Sequence, residues 1–98
     1  MIKIEVKENN KRIREVSIKG HALYDDYGKD IVCASVSSIV ITTVNAILRV
    51  DSSSISYDET PFVIRTLKDS YITNLLLDNM ISLLKELERD YPKNVRFL

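Results

Sequence analysis

The single histidine of the chain, His21, and its single cysteine, Cys33, are the two side chains best suited to covalent chemistry. A cysteine attacks as its thiolate, the minority form of a free thiol at neutral pH, and a neighbouring imidazolium raises the thiolate fraction. The segment between them is polar and acidic, so a loop can fold the imidazole back over the thiol. Such a pair predicts acyl transfer, with the histidine protonating the leaving amine.

Cys33 lies close to the predicted start of a helix over residues 31–50, where apolar side chains recur at helical spacing. Asp30 directly precedes this stretch and is a good N-cap, since its carboxylate accepts first-turn N–H groups. Cys33 then falls in the first turn, where the helix macrodipole favours a thiolate and free N–H groups can form an oxyanion hole. Asp25, Asp26 or Asp30 can orient the histidine, although capping already engages Asp30.

The same residues also have purely structural interpretations. A lone cysteine in an apolar helix is usually a small core residue, and a lone histidine beside a glycine is usually a surface turn residue. The acidic pair Asp25-Asp26 is most often a solvated loop. No second histidine or cysteine exists to complete a zinc site, so we expect neither a metal nor a cofactor.

The composition bounds the function classes. The 98 residues suffice for one small domain, and 14 Lys and Arg balance 14 Asp and Glu. This balance argues against direct nucleic-acid binding, and the basic residues near both ends read as a solvated strand face. The apolar runs are short, so we expect no membrane span. One cysteine and no signal peptide predict a reduced, cytoplasmic protein.

Alternating and helical patterns predict the elements that position the pair. Residues 1–6 and 12–19 alternate as strands around turn residues 8–11, with uneven spacing from Ile13 to Val16 that indicates a bulge. Residues 54–58 and 62–67 form two further strands around a turn that contains Pro61. The helix over residues 31–50 is apolar on most sides, which predicts burial on more than one flank.

A second, amphipathic helix begins at a cap formed by Asp69 or Ser70 and runs to about residue 89, and Pro92 closes it. Residues 94–98 can add a short terminal strand. The order is therefore ββαββα, with or without a last strand. This order predicts an α+β fold, a single two-layer sandwich with a mostly antiparallel sheet.

Three segments carry a resemblance to a known family. Residues 20–22 read Gly-His-Ala, residues 27–34 read Tyr-Gly-Lys-Asp-Ile-Val-Cys-Ala, and residues 44–47 read Val-Asn-Ala-Ile. With the chain length and the Asn-Val-Arg ending at residues 94–96, they make the chain similar to the bacterial ribosomal-processing cysteine protease family, Prp. The resemblance covers essentially the whole chain. Ser35, where members often carry alanine or glycine, departs from the pattern.

The resemblance implies one Prp-like domain over residues 1–98, compact and dimeric, with Cys33 as nucleophile and His21 as base. It implies a mobile loop over the site that matches residues 20–30 and includes Gly20, Tyr27 and Gly28. Ser37, one turn after the cysteine, matches a serine that contacts substrate. The implied substrate is the N-terminal extension of the large-subunit ribosomal protein twenty-seven, cut after a pair of aromatic residues.

Two other function classes stay open. The chain can be a ribosome-associated binding module with an inert, core-bound thiol; if its partner is RNA, binding weakens steeply with salt. It can instead be a redox sensor that uses Cys33 through a sulfenic acid or an intermolecular disulfide. A sensor of that kind predicts oxidant-dependent dimers and no proteolysis.

Overall fold

The computed structural model describes residues 1–20 and 27–98, and gives residues 27–30 by their backbone alone. The elements in chain order are β1 (Ile2–Asn9), β2 (Arg12–Lys19), α1 (Tyr27–Val50), β3 (Ile55–Glu59), β4 (Phe62–Thr66), α2 (Tyr71–Asp90) and β5 (Val95–Phe97). The strands form one sheet in the order β3-β4-β2-β1-β5. Among the strand pairs in the described residues, only β1 and β5 run parallel. The predicted α+β class is confirmed, and the short terminal strand is present.

The β1–β2 hairpin has the turn and the bulge that the sequence predicts. Asn10 and Lys11 turn the chain with φ of 54° and 64°, a left-handed conformation that asparagine tolerates better than most residues. The register shifts after Lys7, which pairs with Glu15, whereas Glu8 pairs with Ile13. One extra residue on β2 therefore restores the inward direction of its apolar side chains.

The core lies between one face of the sheet and the two helices. Inward-facing strand residues meet one face of each helix, and burying each large side chain contributes on the order of 1.5–3 kcal/mol. The buried apolar residues of the sheet are Ile2, Ile4, Ile13, Val16, Ile18, Ile55, Ile64 and Val95. Those of the helices are Val32, Val36, Val40, Val44, Ile47, Leu77, Met80 and Leu84.

Helix α1 buries one face rather than more than one flank, so that prediction is wrong for the single chain. Ile31, Ile41, Leu48 and Val50 are each more than a third exposed. The Ile31–Val50 stretch is long and apolar enough to cross a membrane by composition, and 33% of its most apolar window is buried in the fold. A core helix of a soluble protein meets the same criterion, and the buried face of α1 makes it part of the core.

Helix α2 is fixed to the sheet at its first turn. Ser70 is its N-cap, and the Ser70 hydroxyl accepts the Thr73 N–H at 3.3 Å. The buried Thr73 hydroxyl donates to Ser54 Oγ at 2.9 Å, and Asn74 Oδ1 accepts the Ile13 N–H at 3.0 Å. These bonds satisfy polar groups that would otherwise be buried without partners, and they tie α2 to β2 and to the segment before β3.

Candidate active site

Cys33 lies on α1 with its side chain half-buried, and it lines a pocket of about 430 Å³. The pocket lies between α1, the ends of β1 and β2 that meet at Gly20, and the turn joining β3 to β4. Its lining is mostly apolar and consists of Ile2, Ile18, Gly20, Cys33, Val36, Ser37, Glu59, Thr60, Pro61 and Phe62. The only thiol of the chain is therefore accessible from a concave, largely apolar site of the kind that binds ligands.

Three residues named from the sequence lie together in this pocket: Gly20, Cys33 and Ser37. Ser37 follows Cys33 by four positions on α1, so both project from the same face of the helix. The catalytic and substrate-binding roles given to these residues stay predictions. His21 lies outside the described residues, although it directly follows Gly20 in the chain. Asp25 and Asp26 also lie outside them.

Gly20 occupies a position that only glycine can take without strain. Its φ is +86°, in the left-handed region that side chains disfavour. A Cβ added there would overlap the carbonyl oxygen of Met1. The glycine thus lets the end of β2 pass close to the start of β1 at the edge of the pocket.

The start of α1 corrects the predicted position of Asp30. The helix begins at Tyr27, so Tyr27, Gly28 and Asp30 have helical backbones, and Asp30 is not the N-cap. Cys33 is then in the second turn, beyond the first-turn reach of the macrodipole. Its N–H also belongs to the intrahelical ladder rather than to the free groups of the helix start. Gly28 suggested a loop, but a glycine costs a helix only about 1 kcal/mol, which packing elsewhere in the helix offsets.

The β3–β4 turn forms a wall of the site that the sequence pattern does not predict. Glu59, Pro61 and Phe62 face Cys33 across the pocket, and the Thr60–Pro61 peptide bond is cis. Phe62 reaches this position because β4 pairs with β2, which sets Phe62 opposite Ile18. Pairing between strands that are distant in the chain has no local sequence signal.

An aromatic stack supports this wall. The rings of Tyr57 and Phe62 lie 6.1 Å apart at 11°, a stacked arrangement that stabilises the hairpin. The Tyr57 hydroxyl is buried without a hydrogen-bond partner among the described residues. Burial, and secondly the nearby Glu59 carboxylate, raises the pKa of Tyr57 above its usual value of 10.0. Tyr57 is therefore a neutral packing residue behind the pocket.

Glu59 is the only charged residue among the described ones that line the pocket. Among the residues that the structure describes, no group of three His, Cys, Asp or Glu side chains could hold a metal ion. The described part of the site thus offers a thiol, two hydroxyls and one carboxylate in apolar surroundings. Its chemistry suits a nucleophile that acts on an extended, partly apolar substrate.

A larger groove lies on the outer side of the helices, between α1 and the end of α2, with a volume of about 800 Å³. Ile31, Ala34 and Ser38 of α1 face Leu83 and Leu87 of α2 across it. It contains neither the thiol nor the predicted substrate serine. Its apolar lining indicates a surface for packing rather than for chemistry.

The chain is similar to known proteins over nearly its whole length. The family model described as cysteine protease Prp matches residues 1–96. The ribosomal processing cysteine protease Prp of Staphylococcus aureus is 33% identical over 102 residues, spanning 98% of this chain and 96% of that protein.

Two crystal structures of the S. aureus protease have the same fold. The structure with a covalently linked product peptide has a TM-score of 0.86 and 33% identity, covering 99% of this chain and 97% of that one. The structure with a substrate peptide has a TM-score of 0.87 and 32% identity, covering 100% and 98%. Because family model, sequence and fold agree over nearly the whole length, the chain belongs to the Prp family of cysteine proteases.

Proposed function

We propose that this chain removes the N-terminal extension of the large-subunit ribosomal protein twenty-seven, cutting after a pair of aromatic residues. The observation that carries the proposal is the position of Cys33 in an apolar pocket beside Ser37 and Gly20. A relative of similar fold has been crystallised with a substrate peptide and with a covalently linked product peptide, which supports a peptide as the ligand of this site.

The proposed reaction uses Cys33 as nucleophile and His21 as proton carrier. The Cys33 thiolate attacks the scissile carbonyl carbon, and the tetrahedral intermediate collapses to a thioester as the C–N bond breaks. The His21 imidazolium donates its proton to the departing amine. A water molecule then attacks the thioester, with neutral His21 taking its proton, and the peptide carboxylate leaves as the thiolate re-forms. Since α1 begins before Cys33, the imidazole rather than the helix end is the main source of thiolate stabilisation.

The size and apolar lining of the pocket support the proposed aromatic preference next to the cut. Val36, Ile18 and Phe62 supply apolar walls, and the volume of about 430 Å³ exceeds the roughly 150 Å³ that encloses a benzene ring. An aromatic side chain of the peptide can therefore enter while its carbonyl carbon stays near the thiol. Removing such a ring from water favours binding, and a pocket for one side chain of an extended peptide supplies specificity.

The exposed side of α1 supports the homodimer that the family resemblance implies. Exposed residues recur there at alternating spacings of three and four: Ile31, Ala34, Ser38, Ile41, Asn45 and Leu48. That is the spacing of a helix–helix seam, in which a polar residue at one position fixes the register. A second copy covering this stripe would bury apolar side chains that the single chain leaves in water.

A thiolate nucleophile also needs a reducing compartment, which supports action in the cytoplasm. Oxidation of the single thiol would stop the reaction, because a sulfenic acid or a disulfide cannot attack the peptide carbonyl.

The decisive experiment incubates the parent chain, Cys33→Ala and His21→Ala with the extended ribosomal protein and follows its intact mass. We expect the parent to release the extension, Cys33→Ala to be inactive and His21→Ala to lose at least about a hundredfold in rate. Ser38→Ala, on the exposed stripe away from the pocket, is the matched control and should cleave normally.

A second substrate, with both aromatic residues replaced by alanine, tests the pocket. It should be cleaved far more slowly by the parent chain. If the parent leaves the extended protein intact while Cys33 resists alkylation, the protease proposal fails and the binding module stands. Dimers that form only with oxidant and disappear in Cys33→Ser would instead identify a redox sensor.

A further inference from the structure

The outer face of the sheet, opposite the helices, carries three cations at one register position. Lys3 of β1 lies directly opposite Lys19 of β2 and directly beside Arg96 of β5, and all three residues are exposed. Because neighbouring strands lie about 4.8 Å apart, these side chains form a line roughly 10 Å long. We call Lys3, Lys19 and Arg96 the cationic row.

Like charges directly opposite one another on a sheet are destabilising, and the rest of this face avoids them. Glu15 binds Arg65 at 2.8 Å and Lys7 at 3.5 Å, and Arg65 also reaches Asp58 at 3.8 Å. No ion pair joins any member of the cationic row to a residue that the structure describes. The fold thus keeps an unfavourable arrangement at this row, while Glu15 compensates the cations farther along the same face.

We propose that the cationic row binds the phosphate backbone of an RNA chain without regard to its sequence. Phosphates along a nucleic acid present a denser line of negative charge than an acidic peptide does, and neutralising them releases counterions. The Arg96 guanidinium can also bind a phosphate in a bidentate manner. The zero net charge of the chain excludes a global field but says nothing against a local row.

The composition of the surrounding face points to backbone contacts rather than base contacts. Its exposed and half-buried neighbours along β1 and β2 are Glu5, Lys7 and Glu15. None of these is aromatic, so bases find no stacking platform there. Phosphate contacts position a protein on RNA but carry no sequence information.

The cationic row also leaves the protease site free. Ile2 and Ile18, the neighbours of Lys3 and Lys19 in their strands, line the pocket of Cys33. Since side chains alternate across a strand, the row projects to the opposite face. RNA bound there does not compete with a peptide at the thiol.

Fluorescence anisotropy with a labelled single-stranded oligouridylate tests the proposal on the full chain at several salt concentrations. Three phosphate contacts predict that a plot of the logarithm of the binding constant against the logarithm of the salt concentration has a slope of about −2. The affinity should therefore fall about twentyfold between 50 and 200 mM salt. The triple variant Lys3→Gln, Lys19→Gln and Arg96→Gln should lose this binding while cleaving the peptide substrate at the parent rate. Peptide cleavage is measured without RNA, so the failure of either proposal is visible separately.

A charge-matched control separates the row from net charge. The variant Arg49→Gln, Lys85→Gln and Arg89→Gln removes three exposed cations from the helices and should bind RNA like the parent. An equal loss in both triple variants would overturn the proposal. So would the absence of binding at 50 mM salt, or competition by polyglutamate as effective as that by RNA, which would identify an acidic protein as the partner.

A single charge reversal gives an independent readout. Lys3→Glu places a carboxylate between Lys19 and Arg96, which should raise the melting temperature by roughly 2 to 5 °C and abolish RNA binding. A rise in stability together with a loss of binding is the signature of a surface kept for a partner. A variant that binds RNA as the parent does would contradict the role of the row.

Discussion

Gly20 shows how one residue joins the fold to the site. Its positive φ and its close approach to Met1 leave no room for a side chain. We expect Gly20→Ala to lower the free energy of unfolding by about 2 kcal/mol, because a non-glycine residue in this region costs about 1–2 kcal/mol and the added methyl must displace backbone. Urea denaturation measures the change, and protease activity should fall with it because His21 follows directly.

The neighbouring Lys19→Ala is the control for this prediction. Lys19 is exposed and is the last residue of β2, so its truncation should change stability by less than about 0.5 kcal/mol. If Gly20→Ala unfolds at the urea concentration of the parent, the backbone at residue 20 is not constrained as the structure indicates.

The candidate site was predictable only in part at the residue scale. Cys33 and His21 stand out because each is the single residue of its type, and Gly20 because it ends an alternating pattern. Phe62 and Glu59 carry no such mark, since they reach the pocket through the β2–β4 pairing. The sequence pattern predicts Asp30 as the helix N-cap because Gly28 suggests a loop, whereas the helix has already begun at Tyr27.

At the scale of elements, the predictions are confirmed where the apolar residues follow a single strand or helix periodicity or where a local turn or cap signal is present. The alternation of β1, the turn at Asn10-Lys11 and the cap at Ser70 are local signals, and the structure has all three. The parallel pairing of β5 with β1 has no local signal, because it depends on how α2 returns the chain. The apolar pattern of α1 predicts burial on more than one side, but apolar content alone does not say whether the covering surface lies in the same chain.

The junction between α1 and β3 should give the protein a measurable acid sensitivity. Asp51 Oδ2 lies 2.7 Å from Lys68 Nζ, and Asp51 Oδ1 accepts the Ser53 hydroxyl at 2.7 Å and the Ser53 N–H at 3.0 Å. These bonds, that with Lys68 foremost, lower the pKa of Asp51 from 3.8 to about 2. They hold the end of α1 to the chain on both sides of the β3–β4 hairpin.

Because the folded pKa of Asp51 lies below the unfolded one, its contribution is complete above about pH 4 and is lost as the pH falls toward 2. The melting temperature of Asp51→Asn should therefore fall by less than that of the parent when the pH is lowered from 6 to 2.5. The Arg14 hydrogen bond also lowers the pKa of Asp69, but both proteins share that effect and it cancels. Parallel curves for the two proteins would show that the Asp51 bonds do not stabilise the fold.

At the scale of the whole molecule, the exposed stripe of α1 is an apolar surface that the described part of the chain leaves uncovered. Ile41 is 42% exposed and Leu48 is 38% exposed, and both lie on the seam of residues spaced by three and four. The sheet and α2 cover the other face of the helix, and none of the residues that the structure describes buries this one. A helix–helix contact between two copies matches the spacing of the stripe. If α1 instead spanned a bilayer, its buried face would have to leave the core.

We therefore expect Ile41→Glu to convert a dimer into a monomer, because each dimer would bury two unpaired carboxylates in an apolar seam. Light scattering across a range of concentrations measures the mass, and the dimer dissociation constant should rise by more than about tenfold. Leu67→Glu, at an apolar residue that is 61% exposed between β4 and α2, is the matched control and should leave the mass unchanged. A parent that is monomeric at every concentration would show that the stripe serves no second copy of the chain.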